Sequence, residues 1–353
     1  MNFRIRKLYL ELQKCRLQGL LVSSQANITY LSGYPGRDSY LLASPAGNIL
    51  FTDSRYILHA RSKLGRAVRA QRADGDMLEA VGRACAKLRI RRLGIEERHL
   101  SCAEFRRMRH TFPSGTKFSS FGKAIEEMRQ IKTPGEIAKI RKANSITIAA
   151  LKSVRKFIKP GMRETEVAAH LEHAIRLGGA HTSAFNLIIA SGPNSCHPHH
   201  ITSHRKLKNN EPVLIDIGVD YFGYKSDLTR VFFLGKITSL MRRVYDAVCE
   251  ANRLSIARVA AGVPIKDIDA CARRHLARLG LAKYFKHSLG HGVGLEIHEA
   301  PRISLAEKGR LKSGMVFTVE PAVYLPGKFG IRIEDMVLVK NSACEVLSGS
   351  FNK

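Results

Sequence analysis

The stretch Val213-Leu214-Ile215-Asp216-Ile217-Gly218-Val219-Asp220-Tyr221-Phe222-Gly223-Tyr224-Lys225-Ser226-Asp227-Leu228-Thr229-Arg230-Val231-Phe232-Phe233-Leu234 carries the decisive pattern. Two apolar strands flank a glycine-containing turn, and each holds one acid in apolar company. Asp216 follows Val-Leu-Ile, and Asp227 precedes Leu-Thr-Arg-Val-Phe-Phe. A carboxylate on a buried strand must be paired or must hold a cation. Folded as a hairpin, the two strands bring both acids to one cavity.

A second pair of acids obeys the same logic. Met315-Val-Phe-Thr-Val-Glu320-Pro321 and Gly330-Ile-Arg332-Ile-Glu334-Asp-Met-Val-Leu-Val339 read as two strands joined by a Tyr-Leu-Pro-Gly turn. Arg332 and Glu334, two residues apart, project from one face of their strand. Between the two hairpins lies His287-Ser-Leu-Gly-His291-Gly-Val-Gly-Leu-Glu-Ile-His298-Glu-Ala-Pro301, where glycines let the backbone approach closely around the imidazoles. This is not the H-E-x-x-H zinc pattern, because Arg302 stands where its second histidine belongs. One imidazole among several carboxylates suits manganese, cobalt, iron or zinc, best as two ions sharing bridging carboxylates. Such a pair acidifies a bound water enough for it to attack near neutral pH. The bland alternative pairs the buried acids with arginines such as Arg230 and Arg332.

A further histidine group, Ser195-Cys-His197-Pro-His199-His200, precedes the first hairpin and reads, taken alone, as a polar loop. His170 and His173 lie three apart on a predicted helix and read as solvated.

Outward from these motifs the chain alternates helices and strands. Gly19 to Ser23, Ser39 to Ala43, Asn48 to Thr52, Ala67 to Gln71 and Arg92 to Ile95 read as strands, with Pro45-Ala46-Gly47 as a tight turn. Leu8 to Arg16, Arg55 to Lys63, Met77 to Leu88 and Ala103 to His110 read as helical. This is an α/β arrangement. At Ile131-Lys132-Thr133-Pro134 the proline disfavours helix before it and Thr133 is placed to cap the helix that it opens. The expected domains are residues 1–130 and 131–353, the second beginning with helices over Gly135 to Lys156 and Glu164 to Leu177.

The 353 residues, 44% hydrophobic and 25% charged, suffice for two cored domains and exclude a disordered or collagen-like chain. No apolar run reaches the roughly 18 residues of a membrane span, and the basic start lacks a secretory apolar core. Seven scattered cysteines without a C-x-x-C pair fit a reducing compartment, so a soluble cytoplasmic protein is expected. The net charge of +28 is spread over both halves, +13 in residues 1–130 and +15 in the rest. It reads as a solvated surface, and with no recognisable nucleic-acid motif no specific nucleic-acid partner is expected.

These blocks, taken in order, resemble the pita-bread metallopeptidases, in the branch of aminopeptidase P and prolidase. The blocks are Ile-Asp-x-Gly at Asp216, Gly-Tyr-x-Ser-Asp-x-Thr-Arg ending at Arg230, His-Gly-Val-Gly from His291, His-Glu at His298, Thr-Val-Glu-Pro around Glu320 and Gly-Ile-Arg-Ile-Glu-Asp around Glu334. Ile28-Thr-Tyr-Leu-Ser-Gly33 and Phe51-Thr-Asp-Ser-Arg-Tyr56 are similar to the creatinase and prolidase type of N-terminal domain, and Ile131-Lys-Thr-Pro is similar to its linker. The resemblance thus implies an α/β (α+β) chain with a creatinase/prolidase-like domain followed by a pita-bread catalytic domain.

The resemblance further implies metal ligands at Asp216, Asp227, His291, Glu320 and Glu334, with Asp227 and Glu334 bridging two divalent ions. Manganese or cobalt comes first and zinc or iron second. His199 and His298 are then expected to hydrogen-bond the substrate, while His287 and Arg332 match further active-site positions. A metal-bridging hydroxide is expected to attack the scissile carbonyl, with Glu320 passing a proton to the departing proline nitrogen. The implied reaction is cleavage between an N-terminal residue and proline by an Xaa-Pro aminopeptidase acting on a proline-containing peptide. An Xaa-Pro dipeptidase, or prolidase, is the alternative within the same chemistry. A non-catalytic pita-bread module binding peptide or nucleic acid is the alternative of another class. The relatives that the chain resembles are commonly homodimers, which is the expectation here as well.

Overall fold

Alternating apolar runs and capped helices build the N-terminal part of the chain. The computed structural model describes residues 3–349 and separates into two units, Met1–Arg129 and Gln130–Lys353. In the first unit six strands, β1 (Gly19–Val22), β2 (Ser39–Ser44), β3 (Gly47–Thr52), β4 (Arg69–Arg72), β5 (Arg92–Ile95) and β6 (Lys117–Ser120), form one sheet in the order β4-β3-β2-β1-β5-β6. The pairs β1/β2 and β2/β3 are antiparallel, the latter closed by Pro45 and Ala46 as expected, with Ser44 opposite Gly47. The outer pairs are parallel and need helical crossovers, which Ile57–Lys63 and Cys102–Thr111 supply. Asp76 and Ser101 cap two of the helices through their side chains. Leu21, Leu42, Phe51 and Leu93 of the sheet pack with Leu78, Val81, Cys85 and Met108.

A further helix, Gln25–Ser32, is not evident from sequence, because its β-branched and aromatic residues weaken the helical signal. Ser24 starts it by accepting from Asn27 N, and Gly33 ends it in the left-handed region at φ 77°.

The second unit opens with Pro134–Phe157, capped reciprocally by Thr133 and Glu136 as the proline spacing predicts, followed by Glu164–Leu177. Its strands are β7 (Thr182–Ser183), β8 (Ile188–Ser191), β9 (Glu211–Ile217), β10 (Val219–Tyr221), β11 (Tyr224–Lys225) and β12 (Leu228–Leu234), then β13 (Gly290–Gly292), β14 (Glu299–Ile303), β15 (Val316–Val319), β16 (Ala322–Leu325), β17 (Phe329–Arg332), β18 (Asp335–Val339) and β19 (Cys344–Val346). They form sheets in the orders β12-β9-β8, β11-β10-β7, β14-β13-β15-β18-β19 and β16-β17. Helices Ser239–Ile256 and Ile265–Arg278 lie in sequence between β12 and β13, and Val244, Val248, Ile268 and Leu276 join the core formed with Phe317, Val319 and Ile331.

Two expected hairpins are more articulated than the sequence pattern implied. The first breaks at Gly218, where an added Cβ would lie 2.4 Å from Ser226 O and 2.5 Å from Phe185 Cε1. The chain leaves β9, makes the small hairpin β10/β11 with Phe222 and Gly223 at positive φ, and returns as β12 with Leu228 opposite Ile217. The second is not one hairpin. Residues 315–325 change sheet at Glu320-Pro321, and residues 329–339 change back at Ile333-Glu334, so that β16 pairs with β17 and β15 with β18. Both acids therefore stand at sheet junctions rather than inside continuous strands. Among the described residues no helix is long and apolar enough to cross a membrane.

Candidate metal centre

All five acids and imidazoles expected to hold metal converge in the second unit. Asp216 lies in β9 opposite Thr229 of β12, and Asp227 immediately precedes β12. His291 is the centre of β13, whose glycines are required by close approach. A Cβ on Gly290 would fall 1.9 Å from Thr318 O, and one on Gly292 would fall 2.3 Å from Ala300 O. Ligating atoms of Asp227, His291 and Glu334 lie within 4.8 Å of one another. His291 Nε2 is 3.5 Å from Asp227 Oδ2 and 3.4 Å from Glu320 Oε1.

The hydrogen bonds make this arrangement specific. His291 Nδ1 faces the carbonyl of Gly292 at 3.2 Å, so Nδ1 carries the proton and Nε2 turns a lone pair toward two carboxylates. Asp216 receives Arg332 Nη2 at 2.6 Å on Oδ2, while its buried Oδ1 has no hydrogen-bond partner. Thr229 Oγ1 donates to Glu334 Oε2 at 2.7 Å and accepts from Arg332 Nε at 3.1 Å. Lone pairs facing carboxylates, with an orphaned carboxylate oxygen beside them, are what a donor set for divalent cations presents.

Electrostatics agree. Asp227 is raised well above the usual carboxylate range by burial, then by Glu334, Asp216 and Glu320. Glu334 is raised in the same way by burial, then by Glu320 and Asp216. Burial pushes Glu320 up to about 8, with Arg332 opposing and Asp216 adding to the effect. Such crowding is relieved by positive charge among the acids. Burial also lowers His291 and His287 to about 4 and lowers His298, leaving all three neutral near pH 7.

The cleft has a volume of about 1060 Å³, and its lining includes Asp216, Asp227, Glu320 and Glu334 together with His199, His287, His298 and Arg332. The His298 ring meets His291 edge to face at 4.3 Å between centroids. His287 donates from Nδ1 to Ser288 O at 2.8 Å, so its Nε2 accepts the Tyr324 hydroxyl at 3.2 Å. That hydroxyl accepts in turn from Arg332 Nη1 at 2.7 Å. Among the three clustered histidines, His199 is near enough to lower both His287 and His298. His200 is 2.9 Å from Glu164, and exposed His197 is not among the cleft-lining residues.

Arg230 pairs with Asp335 at 2.7 Å and donates to Glu334 O, whereas Arg332 does pair with Asp216. His170 is not simply solvated: its ring stacks on Phe157 at 4.0 Å. Thr229, Tyr324 and Glu164 escaped the sequence reading because a strand threonine, a strand tyrosine and a helix-start glutamate are ordinary residues in ordinary places. Lys132 is another, buried against Glu299 at 2.8 Å beside His298. A lysine in the linker motif was visible, but its partner was not.

Residues 138–341 match metallopeptidase family M24, and residues 4–131 match the creatinase/prolidase N-terminal domain. An uncharacterized peptidase of Bacillus subtilis is 31% identical over 95% of this chain and 94% of its own length. The structure of an Xaa-Pro dipeptidase from Bacillus anthracis is similar at a TM-score of 0.95 with 31% identity, covering 99% of this chain and 98% of that one. An X-Pro aminopeptidase from Thermotoga maritima is similar at 0.90 with 36% identity, covering 98% and 97%. A match through most of the second unit, with relatives alike along nearly their whole length, places this chain in metallopeptidase family M24, as a divalent-metal-dependent hydrolase of pita-bread fold behind a creatinase/prolidase N-terminal domain.

Proposed function

We propose that the chain is an Xaa-Pro aminopeptidase that cleaves the bond between an N-terminal residue and proline. The observation that carries this reading is the convergence of Asp216, Asp227, His291, Glu320 and Glu334 on one cleft, with Asp227, His291 and Glu334 offering ligating atoms within 4.8 Å. In this reading those five residues would hold two divalent ions, manganese or cobalt in first place. When bound, such ions supply Lewis acidity toward the scissile carbonyl and an acidified water.

The protein's own groups supply the rest. Arg332 holds Asp216 in place and tethers Tyr324 and Thr229. His199 and His298 hydrogen-bond the substrate, His298 as a neutral imidazole since burial keeps it from charging near pH 7, while His287, engaged with Ser288 O and the Tyr324 hydroxyl, steadies Tyr324 at the cleft. Glu320, oriented by Thr318 Oγ1 at 3.2 Å, is placed to hold a proton and pass it to the proline nitrogen as that bond breaks.

A second reading, an Xaa-Pro dipeptidase, has its own support in Arg302. This exposed guanidinium lines the cleft from β14, opposite His291 in register, and would suit the terminal carboxylate of a dipeptide. The relatives named above include one of each kind. The deciding experiment is hydrolysis of Ala-Pro-Ala beside Ala-Pro, with manganese or cobalt and a chelator control. Chelator-sensitive cleavage of the tripeptide supports the aminopeptidase, and cleavage of the dipeptide alone supports the dipeptidase. Silence on both overturns the Xaa-Pro reading. Seven free cysteines support a reducing, cytoplasmic setting, and resemblance supports a homodimer.

A further inference from the structure

The loop that carries His199 is held by a residue outside the metal cluster. Glu164, the first residue of helix Glu164–Leu177, has no exposed side chain. Its Oε1 accepts from Ser191 N at 2.8 Å, Ser191 Oγ at 2.8 Å and Asn194 Nδ2 at 3.0 Å. Its Oε2 accepts from Ser203 Oγ at 2.6 Å, His200 Nε2 at 2.9 Å and Ser203 N at 3.1 Å. One carboxylate thus grips the start, the middle and the end of the segment 191–203. Burial works against its ionised form, but the Ser203 hydroxyl, the His200 imidazole and the Ser191 donors outweigh it and hold the acid below its usual range.

What the grip fixes is a turn. His200 N donates to His197 O at 3.2 Å, so Pro198 and His199 are the two central residues of a β-turn. One foot of that turn is anchored by Ser195, whose Oγ accepts from Gly330 N at 2.7 Å and donates to Gly192 O at 2.6 Å. The other foot is His200, which donates from Nε2 to Glu164 and so turns its ring to the carboxylate. His199 and Pro198 protrude between these feet, lining the cleft, with Pro198 O accepting from Arg332 Nη1 at 3.3 Å.

We propose that Glu164 is a positioning residue: by hooking His200, Ser191 and Ser203, its carboxylate sets where the His199 imidazole stands over the substrate. The proposal rests on the peptidase reading, in which His199 hydrogen-bonds the substrate. It separates the three clustered histidines: His199 touches substrate, His200 is a strut, and His197 lies outside the cleft lining.

The test is a double-mutant cycle on the full-length, manganese-loaded protein with Ala-Pro-Ala as substrate. Glu164→Gln keeps the side chain's size but replaces one acceptor oxygen with a donor. It is expected to lower kcat about 10- to 100-fold with metal content unchanged and KM within about threefold. In a His199→Ala background the same change is expected to cost less than about twofold more, because the strut then has nothing to place. An equal loss in both backgrounds overturns the proposal, as does wild-type kcat in Glu164→Gln. Wild-type kcat in His199→Ala also overturns it, while leaving the peptidase reading intact.

If the wild-type chain turns over no Xaa-Pro peptide, the peptidase reading fails instead, and histidine ring resonances of isotope-labelled protein still test the hook. A protected His200 Nε2–H and a single His199 signal are expected in the wild type and are lost in Glu164→Gln; spectra unchanged by that substitution overturn the hook. Should Glu164→Gln fail to fold, His200→Leu is expected to lower kcat and His200→Gln, which keeps a donor amide toward Glu164, to restore most of it. Equal losses in those two variants overturn the proposal.

Discussion

Arg332 holds Asp216 through one oxygen, Nη2 to Oδ2 at 2.6 Å, and leaves the other oxygen buried without a hydrogen-bond partner. Three more of its donors go to Thr229 Oγ1, Tyr324 OH and Pro198 O, so it aligns four groups around the cleft at once. A lysine keeps the charge and loses the fork. Arg332→Lys is therefore expected to keep its metal and lose about 10- to 100-fold in kcat, the size of one or two charged hydrogen bonds. Steady-state kinetics beside metal analysis checks this, and wild-type turnover would remove Arg332 from the site.

The two kinds of site residue separate by what they leave behind. Asp227 is read as a ligand shared by two ions, so Asp227→Ala is expected to abolish chelator-sensitive turnover and to lower the bound metal per chain. His298 touches the cluster through its ring contact with His291, so His298→Ala is expected to retain metal and slow the chemistry about 10- to 1000-fold. Full activity in Asp227→Ala would sink the metal assignment.

Stability of the chelated protein should respond to pH with a definite sign. Glu320 is raised to about 8 from an ordinary 4.5, and Asp227 and Glu334 are raised as well. A raised acid contributes full stability below its unfolded value and loses it as pH rises toward its folded value. His287 and His291, lowered to about 4 from 6.5, act oppositely, and their contribution grows as pH rises from about 4 to 6.5. Above pH 6.5 the histidine effect is complete and the acids alone remain. The melting temperature in chelator is thus expected to fall between pH 6.5 and 8, and manganese to raise it more at pH 8, where the ligands bind without first losing protons. A chelated protein that melts higher at pH 8 than at 6.5 would contradict the crowded-acid picture.

Which parts of this were readable beforehand follows from the range of each signal. Asp216 and Asp227 stand out in sequence because an acid inside an apolar strand is locally anomalous, and the antiparallel pairing of β9 with β12 brings them together. Glu320 and Glu334 stand out for the same reason, yet the chain's change of sheet at each was hidden, since an apolar run does not reveal which neighbour it pairs with. The three histidines at 197, 199 and 200 could not be ranked from spacing. Their ranking depends on Glu164, more than thirty residues away, whose burial is a tertiary fact. Thr229 and Tyr324 belong to the same class: their hydroxyls matter because of where Arg332 ends.

Glycine supplies the last prediction, because at Gly290 the close approach is of backbone to backbone. A Cβ there would sit 1.9 Å from Thr318 O, and neither strand can yield without moving the other. Thr318 also accepts His291 N on its Oγ1 at 3.1 Å and donates to Glu320 Oε1 at 3.2 Å, so pushing β13 from β15 displaces two of the five proposed ligands. Gly290→Ala is expected to cost about 1–3 kcal/mol of stability, as overpacking does, and to weaken manganese binding at least about tenfold. Gly135, in the first turn of helix Pro134–Phe157, is the control: nothing lies within 4 Å of an added Cβ, and Ala there should stabilise by about 0.4–1 kcal/mol. Calorimetric titration of manganese into both variants, beside their thermal melts, reads the difference. Equal metal affinity in Gly290→Ala and Gly135→Ala would mean that the β13–β15 contact does not place His291 and Glu320.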